Sequence, residues 1–380
     1  MNENQPLYLK LYNSLYDKIV SGEYSEGEKL PTEKELAEQF NVSNITSKKS
    51  LEMLADNGMI KRVPGKGSFV IKSTVDNKVI VQKSKSNSPI IGVVLSDFSE
   101  SYGTNLLSGI EEEASKNNCF IIPKRSYGKQ ELENDAIDSL VDMGVDGIIV
   151  MPVHGEHYNP KILKLIIDGY PLVLMDCDLK GIQAAFVGTD NVDAAKMATD
   201  YLLEHGHRKI SFVSTNPKDT TAIEDRIKGF IISYAEHGVK VDETIWETNL
   251  VSTLPGMDTE SNIEADCDKI KKMIINNPDI TCIFVTEYNL ALLVMRALKH
   301  LNKAVPEDMS ILCFDGPYNN IGDYFFTHIR QKEKQIGCTS VQFVLNLIRG
   351  EIVDKTYLKA ILVTGQSVRD IRVDANKKSL

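Results

Sequence analysis

Short apolar runs separated by helical stretches constrain this chain more than any other feature. IIGVVL, CFIIPK, DGIIVMP and YPLVLMD follow one another with helical patterns near 103–118, 131–143 and 160–168 between them. The alternation restarts at HRKISFVST and continues through TCIFVT and DMSILCFD, with helical patterns near 222–237 and 288–302. A strand that is apolar at successive positions is buried on both faces, and strands joined through helices run parallel. The chain from residue 89 to 380 is therefore expected to be α/β, with two doubly wound parallel-sheet lobes. Ligands of such folds bind beyond the carboxyl ends of the strands, which places the expected site in the cleft between lobes.

Residues 1–72 follow another rule. Leu7, Leu11, Leu15 and Ile19 recur at helical spacing, and Ser21-Gly22 stops that first helix. In LPTEKELAEQF, Thr32 is placed to cap a second helix and Glu35, three residues on, to reach back and close a capping box. Leu36, Ala37 and Phe40 form its apolar stripe, and it ends at Asn41. Ser43 then caps a third helix running to about Asn57-Gly58. Its Ser47, Ser50, Leu51 and Leu54 share one face, leaving Asn44, Ile45, Lys48 and Lys49 on the other. Two helices across a tight turn, the second with a polar and basic start, describe a helix-turn-helix. MIKRVPGKGSFVI adds two strand-like pieces around a Gly65-Lys66-Gly67 tip. Glycines there let the backbone approach phosphates, and Lys66 and Arg62 supply charge.

The charge distribution agrees. The net charge of -10 argues at first against a nucleic-acid partner, but 30 basic and 42 acidic residues lie within 89–380, whereas 43–72 holds six basic and two acidic ones. Residues 73–88, STVDNKVIVQKSKSNS, are polar and basic and read as a linker. The expected architecture is an N-terminal α+β DNA-binding domain (1–72), a linker (73–88) and a two-lobed effector domain (89–380).

The stretch LPTEKELAEQFNVSNITSKKSLEMLADNGMIKRVPGKGSFV resembles the winged helix-turn-helix of the GntR family of bacterial regulators. The resemblance implies double-stranded operator DNA as partner, with Ser43, Asn44, Thr46, Lys48, Lys49, Arg62, Gly65, Lys66 and Gly67 at the interface. Glu33 is either a dipole partner at the start of the second helix or an acceptor for cytosine. The family commonly has arginines where this chain has Asn44 and Lys48. That weakens bidentate reading of guanine and allows Asn44 to pair with adenine.

IIGVVLSDFSESYGTNLLSGIEEEA, DGIIVMP, VGTDN, EHGHRKISFV, DRIKGF, VPEDMSILCFD and THIRQ, in this order, resemble the effector domain of LacI/GalR repressors, itself similar to periplasmic sugar-binding proteins (type I). The resemblance covers about residues 89–370. It implies a homodimer that leaves its operator when a sugar enters the cleft. The GntR-like head on this body implies repression of carbohydrate-utilisation genes, with arabinose as one candidate effector.

A sugar site needs planar polar side chains for vicinal hydroxyls and an aromatic face for the apolar side of the ring. Arg226 matches the family arginine that forks onto hydroxyls, the alternative being an ion pair with Glu224 or Asp225. Asp315, ending SILCFD, is a buried charge in need of a partner, which the resemblance makes the sugar. Asp190 in VGTDN either caps the helix from Asn191 or reaches the ligand. Asp176 and Gln331 are open between ligand and structural roles. Phe98 with Tyr102, and Arg125 with Tyr127, follow the first two strands and offer rings for stacking or for the core. Thr286-Glu287-Tyr288 replaces an Asn-Asp pair frequent in the family and puts Glu287 in the site.

Other classes fit less well. The six cysteines stand singly, which suggests buried reduced thiols, and neither cysteines nor histidines show metal spacing. His205 and His207 read as a helix C-terminus rather than a catalytic pair. No nucleophile elbow or phosphate-binding glycine loop occurs, so no enzyme, metal or cofactor is expected. The N-terminus shows no signal-peptide pattern and no run is long enough to span a bilayer, so the expected location is the cytoplasm, on the nucleoid when DNA-bound. The competing readings are an activator of the same architecture, an aminotransferase-like regulator, for which no pyridoxal lysine site is evident, and a sugar-binding transport protein, which the DNA-binding head disfavours.

Overall fold

The computed structural model describes residues 7–56, 58–63, 66–71, 88–97, 102–153, 158–216, 220–317 and 325–372. Its contacts divide the chain into two compact units, 1–86 and 87–380. The expected linker, apart from Ser88, lies outside the described residues, as do Gly65 and Phe98.

In the first unit, α1 (Leu7–Val20), α2 (Glu33–Gln39) and α3 (Asn44–Asp56) precede an antiparallel pair, β1 (Ile60–Val63) and β2 (Gly67–Val70), with Ile60 opposite Val70 and Val63 opposite Gly67. The capping box forms as read: the Thr32 hydroxyl accepts from the Glu35 amide at 3.3 Å, and the Glu35 carboxylate accepts from the Thr32 amide at 2.7 Å. Ser43 caps α3 through the Thr46 amide at 3.2 Å. Leu11, Leu15, Leu30, Leu36, Leu51, Leu54, Ile60 and Val70 make the core; Leu7, expected in the stripe, lies at the helix start and is exposed. Two serines buried in that core are satisfied across helices. Ser47 donates to the Glu33 carbonyl and Ser50 to the Tyr8 carbonyl, each at 2.7 Å, which ties α3 to α2 and α1. The sequence reading missed a third extended segment. Leu30 donates to Ser68 and Val70 to Glu28, both at 2.9 Å, so the segment before α2 flanks β2.

The second unit has two six-stranded sheets. One runs β13 (Thr356–Leu358), β7 (Ala185–Thr189), β6 (Leu172–Met175), β5 (Gly147–Val150), β3 (Ile90–Leu95), β4 (Phe120–Arg125). The other runs β14 (Ile361–Val363), β12 (Thr327–Arg330), β11 (Ser310–Phe314), β10 (Cys282–Val285), β8 (Ile210–Thr215), β9 (Glu247–Leu250). All neighbours are parallel except β12 and β14. That pair departs from the all-parallel expectation: β14 is an edge strand entered by a short turn from β13 of the other sheet, not through a helix packed on its own sheet.

Helices α4 (Thr104–Lys116), α5 (Gln130–Met143) and α6 (Pro160–Ile167) follow the strands of the first lobe; α7 (Asn191–Glu204), α8 (Thr221–Glu236), α9 (Glu260–Asn276) and α10 (Tyr288–His300) belong to the second. The chain crosses between lobes after β7, again after β12, where α11 (Glu333–Ile348) returns to pack on α4 and the first sheet, and a third time between β13 and β14.

The α4–α11 contact depends on two glycines. A Cβ on Gly109 would stand 2.2 Å from the Lys334 carbonyl oxygen, and one on Gly337 2.2 Å from that of Leu106. Backbone cannot yield as a side chain can, so Gly337→Ala must push the helices apart. We expect a loss of about 1–3 kcal/mol, seen as a fall of several degrees in the melting temperature of the full chain.

Among the described residues no helix is long and apolar enough to cross a membrane. Cys177, Cys267, Cys282 and Cys313 are buried as expected, but Cys119, just before β4, and Cys338, within α11, are only half-buried.

Candidate functional site

On the first unit, the exposed face of α3 is the one the periodicity selects: Asn44, Lys48 and Lys49 are exposed and Ile45 is 81% exposed, while Thr46 is half-buried and bonded to the Ser43 hydroxyl at 2.8 Å. Lys49 lies over the Tyr8 ring, its Nζ 3.8 Å from the centroid, and Lys48 stands 4.0 Å from Glu52. Arg62 forms an ion pair with Glu33 and approaches Glu52 at 3.5 Å. Glu33 is thus more than a dipole partner. It orients Arg62, which links β1 to α2 and α3. Lys66 is exposed at the hairpin, and Gly67 holds φ +116 with Lys29 Cε where a Cβ would be, at 2.6 Å. Lys29 is a basic residue of this hairpin that sequence reasoning overlooked, because the segment carrying it has no regular pattern.

On the second unit, a cleft of about 550 Å³ opens between the lobes at the carboxyl ends of β3, β6, β8, β10 and β11. Six of the sequence candidates meet there: Tyr102, Asp176, Arg226, Glu287, Asp315 and Gln331. Arg226 projects from the second turn of α8. Its Nε donates to Asn191 Oδ1 at 2.8 Å and an Nη to the Thr286 carbonyl at 2.5 Å, with the guanidinium 3.8 Å above the Phe314 ring. The alternative ion pair does not form, since Glu224 and Asp225 are held by Lys180 at 2.9 and 3.0 Å.

Asp315 and Asp176 both end a strand with positive φ, +63 and +69, a conformation that costs a non-glycine residue about 1–3 kcal/mol and aims each side chain off the sheet end. Asp315 accepts from Gln331 Nε2 at 2.9 Å; burial pushes its carboxyl up to about 8, against the pull of Arg226 and Gln331. Asp176 accepts from the Tyr102 hydroxyl. Glu287 accepts from the Thr253 hydroxyl and burial raises its pKa. Behind them Glu333 accepts from the Gly103 amide at 2.8 Å, and burial lifts it to about 7. Gln331 Oε1 is buried with no partner among the described residues. A buried amide acceptor, carboxylates and a guanidinium converging beside Tyr102 and Tyr288 form a surface for a polyhydroxylated ligand.

Three candidates lie elsewhere. Arg125 pairs with Asp97 and stacks on Tyr127, 4.6 Å to the centroid, and both border an adjoining cavity instead. Arg125 ends the edge strand β4 and Tyr127 lies two residues beyond, which carries both outward. Asp190 is a helix cap: its Oδ1 accepts from the Asp193 amide at 3.0 Å. Asn191, Glu333 and Lys129 were not foreseen; Asn191 stands beside the flagged Asp190, and Glu333 lies two residues past Gln331. His205 caps the end of α7, and His207 is buried between Thr281 and the Arg369 carbonyl, pushed down to about 4 by burial. Among the described residues no cluster of three or more His, Cys, Asp or Glu side chains is placed to hold a metal ion.

A winged head with an exposed recognition helix and a two-lobed body with a polar cleft define the class of ligand-responsive transcription regulators. Residues 91–365 match the periplasmic binding protein domain, and residues 7–70 the gntR family of bacterial regulatory proteins; the chain belongs to the former family and carries the latter's helix-turn-helix. It is similar to the arabinose metabolism transcriptional repressors of Geobacillus stearothermophilus (24% identity, covering 92% of this chain and 93% of that one) and Halalkalibacterium halodurans (24%, 89% and 88%). In fold it matches the crystal structure of transcription regulator CcpA of Lactococcus lactis (TM-score 0.63, 21% identity, 74% of this chain and 100% of that one). These relatives are transcription regulators and not enzymes.

Proposed function

We propose that the protein is a homodimeric repressor of carbohydrate-utilisation genes in the cytoplasm, which binds operator DNA through its winged heads and leaves it when a sugar fills the inter-lobe cleft. The observation that carries this reading is the convergence of Arg226, Asp315, Gln331 and Asp176 at strand ends, with a buried acceptor still open. Sugar hydroxyls donate to the carboxylates and to Gln331 Oε1, while the Arg226 fork donates to hydroxyl oxygens. The names of the two arabinose repressors support a pentose as first candidate. The ligand need prefer the closed lobes by only a few kcal/mol to shift the population.

On DNA, Ser43, Asn44, Thr46 and Lys48 at the start of α3 read the major groove, with Lys49 and Arg62 beside them. Lys66, flanked by Gly65 and Gly67, contacts phosphate. Lys66→Ala is expected to weaken binding to specific and random DNA alike and to reduce the salt slope by about 1. Asn44→Ala is expected to relax base choice at one position; equal losses on all sequences for both variants would exclude α3 as the reading helix.

The test of the whole reading is a thermal-shift screen of pentoses and hexoses paired with release of the DNA upstream of the protein's own gene. A sugar that raises the melting temperature and releases the fragment supports it. Bound DNA with no response to any sugar would overturn the effector assignment.

A further inference from the structure

The cleft does not end at the strand ends. A second cavity of about 600 Å³ adjoins it and shares Asp97, Thr253, Leu254, Pro255 and Asn289 with it. Either volume alone falls in the range of roughly 300–1,000 Å³ that holds a drug-sized ligand, and a single sugar ring is far smaller than the two together. The outer cavity has carbohydrate character of its own. Asn289 and Asp258 offer planar polar groups, and Leu254, Leu292 and Leu293 an apolar wall.

Tyr127 borders this cavity with its backbone at φ +53 and half its surface exposed, at 51%. Arg125 covers one face of the ring, 4.6 Å from its centroid, and a half-exposed aromatic bordering a cavity is suited to stacking on a sugar with the other. Among the described residues the rim offers no unpaired cation for an anionic ligand. Arg125 is paired with Asp97 and Arg296 with Glu260 at 2.9 Å, so both guanidinium groups at the rim already have carboxylate partners.

Building on the sugar-effector reading, we propose that the effector is a neutral oligosaccharide or glycoside, with one unit in the inner cleft against Arg226 and Asp315 and the next in the outer cavity against Tyr127. Asn289 and the 253–255 segment line the passage between the two units. The effector class is thereby set by length as well as by stereochemistry.

The test is calorimetric titration of the full-length protein with arabinose, xylose and glucose, and with arabinobiose, xylobiose and cellobiose. A disaccharide is expected to bind at least about tenfold tighter than its own monosaccharide. Leu292→Trp, at an exposed helix position on the outer cavity, is expected to erase that advantage and leave monosaccharide affinity unchanged; Tyr127→Ala should weaken only the disaccharide. A monosaccharide that binds as tightly as any disaccharide, with neither variant altering affinities, would overturn the two-unit effector and keep the sugar reading. Binding of none of the six would overturn both.

Discussion

Replacing Arg226 with methionine is expected to leave a folded, operator-binding protein that needs far more sugar to leave its operator. Two of the guanidinium bonds hold protein groups, Asn191 Oδ1 and the Thr286 carbonyl, and fix the plane of the fork above Phe314. A charge-assisted hydrogen bond to a ligand hydroxyl contributes about 1.5–3 kcal/mol, so losing the fork weakens the effector by roughly 10- to 100-fold or more. Methionine refills the space over the ring, which limits the cavity left behind. Arg226→Lys keeps charge without the planar fork and is expected to fall between. The measurement is operator release against sugar concentration, with near-UV circular dichroism to confirm packing. An unchanged half-maximal sugar concentration in the methionine variant would make Arg226 a purely structural residue.

Much of this architecture is legible in the sequence because burial on both faces leaves an unbroken apolar signature. IIGVVL, LVLM and SILCF become central strands, and the helices between them begin and end within a few residues of where the periodicity puts them. The strands that escape are those the signature does not cover. ETNL and TYL are short, half-exposed edge strands without a continuous apolar run, ILV is apolar but only three residues long at its sheet edge, and AFVGT and THIR are buried but mix Gly, Thr, His or Arg into runs of four or five. Helix α9 escapes for the opposite reason: ESNIEADCDKIKKMIIN is polar over most of its surface, and only Cys267, Ile270, Met273 and Ile274 sink into the core beside the buried Asp266.

The site was legible where a residue type conflicts with its place. A carboxylate ending a buried strand, as at Asp176 and Asp315, and an arginine on the inward face of a helix have no structural reason to be there alone. Spacing cannot tell which strand ends face the cleft. Asp190 also follows a strand, yet its chain turns at once into α7 and the side chain is used up as a cap. Arg125 ends β4, at the edge of its sheet, and Tyr127 lies two residues on, so they border the outer cavity rather than the inner cleft. Glu333 carries no local signal, since it enters only because α11 returns to the first lobe.

Asp315 gives the second large effect, a proton linked to the ligand. With its carboxyl raised to about 8, and Glu333 to about 7, the folded protein holds protons that the unfolded chain releases near pH 4. Between those values the folded state binds more protons than the unfolded one, so the stability these groups contribute is fully present below about pH 4 and is lost as pH rises through 7 to 8. The free protein is therefore expected to melt at lower temperature at pH 8.5 than at pH 6, and Asp315→Asn to flatten that slope. Sugar hydroxyls donate best to an ionised carboxylate, so binding pulls the Asp315 value down and releases a proton. Near pH 7 the expected release is up to about one proton per site, with affinity rising by no more than about tenfold per pH unit and levelling above pH 8. Titration of sugar into the protein in two buffers of different ionisation heat reads the release directly, and the Asp315→Asn variant should show little. Identical heats in both buffers, with affinity flat from pH 6 to 9, would mean that Asp315 is already ionised or that the ligand does not touch it.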